Sequence, residues 1–308
     1  MSVAIISHHR CIEHDMGDHP EQPARLHSIN DQLISSGLGY VCPQYDCNEV
    51  EDAQVLRVHT AQHLAQLTQL AAQGETVAID PDTILMPKTL RAARFAAGAG
   101  VMAVDLVMAG KHRAAWCPVR PPGHHAERAK AMGFCFFNNI AIAAAHALAH
   151  HGLERVAIVD FDVHHGNGTQ DIVQGDPRIL FCSSFQHPFY PFSGVEGAAA
   201  NIHNLPLDAA ITSQQYREHC ASWLARVADF EPQMLFISAG FDGHVADEMS
   251  SHALVDSDYH WITRELVEIA NRSAQGRIVS MLEGGYAINA LGRTCVAHLK
   301  GLLQQDLM

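Results

Sequence analysis

Short apolar runs rich in β-branched residues alternate along this chain with longer stretches of helical period. The runs at 3–6, 114–119, 155–161, 179–183, 234–239 and 277–282 predict strands. The stretches at 25–35, 61–73, 89–109, 138–151, 214–229 and 257–273 predict helices. Strands that are apolar on both faces and separated by helices belong in a parallel sheet covered on both sides. A three-layer α/β/α domain spanning 1–308 is expected, since no linker, repeat or low-complexity tract divides the chain. The longest apolar stretch, 92–109, carries Arg94 and Asp105 and reads as a buried helix, not a membrane span. The first residues lack a basic segment and read as an opening strand, not a signal peptide.

Composition narrows the class. The chain has 308 residues, 48% of them apolar and 17% charged, which suits a large core and argues against disorder. A formal net charge of −13 speaks against nucleic-acid partners and suits a cationic substrate. Eight scattered cysteines without a C-x-x-C pair read as free thiols in a reducing compartment, so a cytoplasmic location is expected. The 22 histidines prompt a search for metal chemistry.

Ligands of open α/β sheets bind beyond the carboxyl ends of the strands. Four predicted strands are followed by chemistry-bearing residues at that edge: RPPGHHAE, DVHHGNGTQ, GFDGH and EGGY. In the second, Asp160, Asp162 and His164 alternate, so an extended chain would turn all three to one side. Three ionisable groups facing a crevice are costly without a cation, and two carboxylates with an imidazole suit Zn2+ or a similar ion. Asp242 can add a third ligand or simply cap the next helix. His244 stands where a second carboxylate would be needed for a two-metal site, so one catalytic ion is expected. Asp247 and His244 read as rim or capping residues.

His124 and His125, after the Pro121-Pro122-Gly123 turn, are acid–base candidates, with Asp160 and Asn167 as ring partners. Tyr286, freed by two glycines, can bring a hydroxyl to a developing oxyanion. His8-His9 and His150-His151 repeat the double histidine, and the second reads as an ordinary helix end.

Together these segments resemble the histone deacetylase family of metal-dependent amidohydrolases. The resemblance rests on Arg-Pro-Pro-Gly-His-His (120–125), Gly-Phe-Cys-Phe-Phe-Asn-Asn (133–139), Asp-x-Asp-x-His-His-Gly-Asn-Gly-Thr (160–169), Ala-Gly-Phe-Asp (239–242) and Glu-Gly-Gly-Tyr (283–286). His-Pro-Glu-x-Pro-x-Arg (19–25) fits as well, and the details are closest to the class II branch and its bacterial relatives.

The resemblance implies an arginase–deacetylase fold with a mostly parallel sheet of about eight strands. It also implies catalytic Zn2+, replaceable by Fe2+, on Asp162, His164 and Asp242. His125 with Asn167 would be the base and then the acid, His124 with Asp160 an electrostatic partner, and Tyr286 the carbonyl ligand. Phe134 and Tyr190 would wall the substrate tunnel, and Asp82 would sit at its rim. A structural K+ would draw on Asp160, Asp162, His164 and Ser183.

The substrate expected on this resemblance is an acetyl-lysine peptide or protein, with acetylpolyamines as the alternative that the negative charge favours. Glu248 lies near the rim position where polyamine hydrolases keep a glutamate, but Met249 aligns with it. A non-catalytic binding protein on the same fold is the remote alternative, and an arginase-like two-metal enzyme is disfavoured by His244. No membrane partner is expected, and a homo-oligomer is compatible with the sequence.

Overall fold

The computed structural model describes residues 2–307. Its strands are β1 (Val3–Ser7), β2 (Gln44–Asp46), β3 (Val77–Ala78), β4 (Ile84–Leu85), β5 (Ala114–Cys117), β6 (Val156–Asp160), β7 (Ile179–Gln186), β8 (Ile202–Leu207), β9 (Met234–Ala239) and β10 (Ile278–Leu282). The helices are α1 (Ala24–Ser35), α2 (Leu38–Val41), α3 (Asp52–Val55), α4 (Ala61–Ala72), α5 (Thr89–Met108), α6 (Asn139–His151), α7 (Asn167–Val173), α8 (Ser213–Phe230), α9 (Asp256–Ser273) and α10 (Ile288–Leu302). Eight strands form one sheet in the order β2-β1-β5-β10-β9-β6-β7-β8, and every neighbouring pair is parallel. The two helical layers follow: α1, α10, α9 and α8 pack in succession, and α4, α5, α6 and α7 form the other. The α/β/α fold is as expected, with the sheet parallel throughout.

The six predicted strands and six predicted helices all form, with ends shifted by a few residues at most. Strand β5 stops at Cys117, not at 119, because Pro118 brings no amide for the ladder. The unpredicted β2 and β8 are the two sheet edges, one of three residues and one half-exposed with Pro206 inside it. Edge strands carry no continuous apolar run, so period alone passes over them. Helix α10 was also unpredicted, although Leu291, Cys295, Leu299 and Leu302 do recur at helical spacing. The β3–β4 hairpin holds the loop of Asp80–Asp82 over the carboxyl edge of the sheet.

Among the described residues no helix is long and apolar enough to cross a membrane. The core instead absorbs several histidines in neutral form. His298 lies between the Thr263 and Ser280 hydroxyls at 2.7 and 2.9 Å. His59 accepts the Asn138 amide at Nε2, at 2.9 Å, which fixes that nitrogen as unprotonated. Burial pushes His14 down to about 4 and His298 to about 3, and burial with neighbouring His63 pushes His59 to about 3.

The unfolded chain takes up those protons near its usual histidine pKa of about 6.5, while the folded chain resists until far lower pH. Stability therefore falls as pH drops below about 6.5, by roughly 1–2 kcal/mol per such histidine at about pH 5. Urea midpoints measured near pH 7.5 and near pH 5 check this, and His298→Asn is expected to shrink the difference. An identical drop in that variant would contradict the assignment.

Candidate active site

The four strands singled out in sequence lie side by side at the centre of the sheet, as β5-β10-β9-β6. Their carboxyl ends deliver 118–126, 283–286, 240–247 and 161–168 to one place. Glycines let these loops close on one another. A Cβ on Gly284 would lie 2.0 Å from the Asp242 carboxylate and 2.6 Å from that of Asp162. Gly133 adopts φ +56°, and a Cβ there would meet the His125 ring at 2.5 Å.

Asp162, His164 and Asp242 are all buried, and one donor atom from each lies within 4.8 Å of the others. His164 Nδ1 is 3.0 Å from Asp162 Oδ1 and 3.1 Å from Asp242 Oδ2. Backbone amides fix both carboxylates. Val163 N–H donates to Asp242 Oδ1 at 3.0 Å, and Gly284 N–H donates to Asp162 Oδ2 at 2.8 Å. Burial and the neighbouring Asp162 charge push Asp242 up to about 6. Burial opposes a charge on His164, but its bonds to Asp162 and Asp242 outweigh burial and raise it to about 9. Two buried carboxylates thus demand a positive charge between them, and a divalent ion fits this N/O donor set.

Contrary to expectation, Asp160, Asp162 and His164 do not share a face of an extended chain. Strand β6 ends at Asp160, and 162–164 lie in bends, where His164 N–H bonds Asp162 Oδ1 at 2.9 Å. Asp160 turns away to His124. Its Oδ2 is 2.9 Å from His124 Nδ1, its Oδ1 accepts the Asp162 amide, and in the sheet it stands opposite Ser183.

The two histidines of 124–125 have unlike partners. Burial works against a charge on His124, but Asp162 and Asp160 outweigh it and hold its pKa well above the usual value. His125 Nδ1 meets the neutral Asn167 Oδ1 at 2.7 Å. Burial, then the charges of His124 and His164, push His125 well below the usual value. One ring is therefore paired with a carboxylate and the other with a neutral amide, with centroids 4.0 Å apart.

His125 and His164 form the floor of a cavity of about 350 Å3, lined also by His19, Asp82, Phe134, Phe189, Tyr190, Met249 and Tyr286 among others. Phe134 stands edge-on to Tyr286 at 5.9 Å and to His19 at 4.7 Å. Tyr190 stands edge-on to His125 at 5.3 Å, and Phe189 stacks on His164 at 5.2 Å. Burial pushes the Tyr286 phenol well up, so it keeps its proton. Exposed Asp82 lies at the mouth, whereas Met249, not Glu248, lines the wall.

Three carboxylates hold this geometry through distant partners. Glu283 accepts the Gly123 and His124 amides at 2.6 and 3.1 Å and the Ser238 hydroxyl at 3.0 Å. Asp247 is a capping residue, as expected, and what it caps is the Tyr286–Ala287 backbone, at 2.6 and 3.0 Å. Glu127 accepts from the Asn167 amide at 2.8 Å, orienting the partner of His125. Carboxylates that act on distant backbone amides leave no local spacing to read. His244, expected at the rim or as a cap, is buried and pairs with Asp256 at 3.4 Å.

The histone deacetylase domain matches residues 19–302. The chain belongs to the histone deacetylase family. An uncharacterized protein of Synechocystis is 39% identical over 98% of this chain and 99% of its own length. The polyamine deacetylase HDAC10 of Homo sapiens is 35% identical over 92% of this chain, which spans 44% of that protein. Among solved structures, the HDA15 HD domain superposes with a TM-score of 0.91 at 30% identity, covering 100% of this chain and 91% of that one. Family membership makes the chain a hydrolase acting on amides, of the deacetylase kind.

Proposed function

We propose that this chain is a Zn2+-dependent deacetylase that removes the acetyl group from the ε-amine of acetyl-lysine in peptides or proteins. The observation that carries the reading is the meeting of an amide-paired histidine, a carboxylate-paired histidine and a tyrosine beside two buried carboxylates at the base of an aromatic tunnel. Asp162, His164 and Asp242 would hold the ion. When bound, a divalent ion there polarises the acyl carbonyl and makes water a better nucleophile.

The rest is done by side chains. Phe134 and Tyr190 hold the apolar stem of the substrate in line and keep bulk water out of the tunnel. Asn167 holds the proton of His125 on Nδ1, leaving Nε2 free to take a proton from the attacking water. His124 is the poorer base for that proton, because Asp162 and Asp160 hold it towards its charged form. The Tyr286 hydroxyl donates to the oxyanion as it forms. His125 then returns its proton to the departing amine, leaving acetate and a free amine. A structural K+ around Asp160, Asp162, His164 and Ser183 belongs to the same reading.

The alternative substrate, an acetylpolyamine, is favoured by Asp82 at the tunnel mouth and by the net charge of −13. Against it, the wall position beside Asp247 and Glu248 is Met249, which offers a cation no charge. The deciding experiment compares kcat/KM of the Zn2+-loaded protein on an acetyl-lysine peptide, N-acetylputrescine and N8-acetylspermidine. Preference for the peptide supports the proposal, and preference for the polyamines overturns it and makes Asp82 the anchor to replace. Tyr286→Phe, as the blank, is expected to lose on the order of 10²–10³ in kcat, the usual cost of one oxyanion donor. A variant within a few-fold of wild type would remove Tyr286 from the reaction.

A further inference from the structure

The double histidine at 150–151 was expected to be an ordinary helix end. It does close α6, but it also closes a side-chain cluster that shares no residue with the tunnel lining. His146 and His150, one turn apart on α6, stack with centroids 4.8 Å apart, and His151 stands edge-on to both. Asp105 faces them from α5, the helix that packs along α6. Its Oδ1 lies 2.8 Å from His146 Nε2 and 2.7 Å from His151 Nε2. One donor atom from each of the four residues falls within 4.8 Å of all the others.

We propose that Asp105, His146, His150 and His151 form a second divalent-metal site, separate from the deacetylase centre, for a borderline cation such as Zn2+, Ni2+ or Cu2+. Three imidazoles and one carboxylate are the donors such cations take, and they disfavour Mg2+ and Ca2+. His146 is buried and held in place, whereas Asp105 and His150 are exposed and leave the ion an open approach. The site also sits on the last turn of α6, where the partial negative charge of the helix terminus favours a cation.

One bond must change for the full set to bind. The Arg57 guanidinium donates to His146 Nδ1 at 2.9 Å, and an imidazole bound through Nε2 carries its own proton at Nδ1. Arg57 is exposed, so its side chain can withdraw into solvent when the ion enters. With the ion in place, α5 and α6 would be tied through four side chains.

The test counts metal. The intact protein and its His150→Ala/His151→Ala variant are dialysed against micromolar Zn2+ and analysed for zinc per chain. Neither residue belongs to the deacetylase machinery, so unchanged turnover of the acetylated substrates, or an unchanged circular dichroism spectrum should neither substrate turn over, shows that the variant is folded. The expected result is the loss of one zinc equivalent in the variant. Asp105→Asn is expected to shift that equivalent's binding to at least about tenfold higher zinc, the scale on which even ligand partners act. Equal zinc content in wild type and double variant overturns the proposal. So does an extra equivalent that is indifferent to Asp105, since binding by loose surface histidines would give that.

Discussion

Asp242→Ala is expected to abolish tight Zn2+ binding at the floor of the tunnel and to lower kcat by roughly 10³ or more, since several kcal/mol of charge stabilisation go at about 1.36 kcal/mol per decade. The carboxylate does two jobs that alanine cannot. Its Oδ2 faces His164 Nδ1 at 3.1 Å and supplies one of the three converging donors. Its Oδ1 accepts the Val163 amide at 3.0 Å and so holds the bend that presents His164. Removal would leave Asp162 and His164 as a two-donor remnant, too few for a structural or catalytic zinc site.

The measurement is zinc content by elemental analysis, made in the His150→Ala/His151→Ala background so that only the tunnel site is counted. Full occupancy would contradict the ligand assignment. Zinc loss with activity retained would instead contradict the proposed role of the metal in hydrolysis.

The difference between what the chain announces and what it conceals has a physical origin. Asp162, His164 and Asp242 sit directly after apolar runs that end β6 and β9, so strand pattern and residue type point to them together. The same holds for His124-His125 and Tyr286. The pairing of these loops depends on the strand order, in which β5, β10, β9 and β6 are neighbours although 164 residues separate Arg120 from Gly284 along the chain. No local period encodes that order.

The partners of the holding carboxylates are hidden for the same reason: Glu283 and Asp247 reach backbone amides roughly 160 and 40 positions away. The cluster of Asp105 with His146, His150 and His151 is a third case. Its three histidines are visible as a helical set, and its carboxylate is supplied only by the packing of α5 on α6.

Glu21→Gln is expected to destabilise the protein by about 3–5 kcal/mol, the cost of leaving buried charge without its counter-charge. Glu21, Arg25 and Arg120 are all fully buried. Glu21 Oε2 accepts from Arg120 at 2.6 Å, and Oε1 accepts from Arg25 at 3.0 Å. Burial would raise the Glu21 carboxyl, but Arg120 and Arg25, joined by His14 once that ring is protonated below about pH 4, outweigh it and hold it down to about 2. A carboxyl held below its unfolded value stabilises the fold above about pH 4.5, and that contribution is lost as pH falls towards about 2. The glutamine variant is therefore expected to lose stability at neutral pH and to show a flatter acid limb.

The cost reaches the active site because Arg25 uses its remaining N–H groups on the backbone that presents Tyr286. It donates to the Glu283 carbonyl and, at 2.7 Å, to the Gly285 carbonyl, and its guanidinium lies 4.9 Å from the Tyr286 ring centroid. Urea unfolding at neutral pH and at about pH 4 measures the stability change. A variant as stable as wild type at neutral pH would mean that the two guanidiniums find water or another acceptor once Glu21 is neutral. The buried ion-pair assignment would then fall.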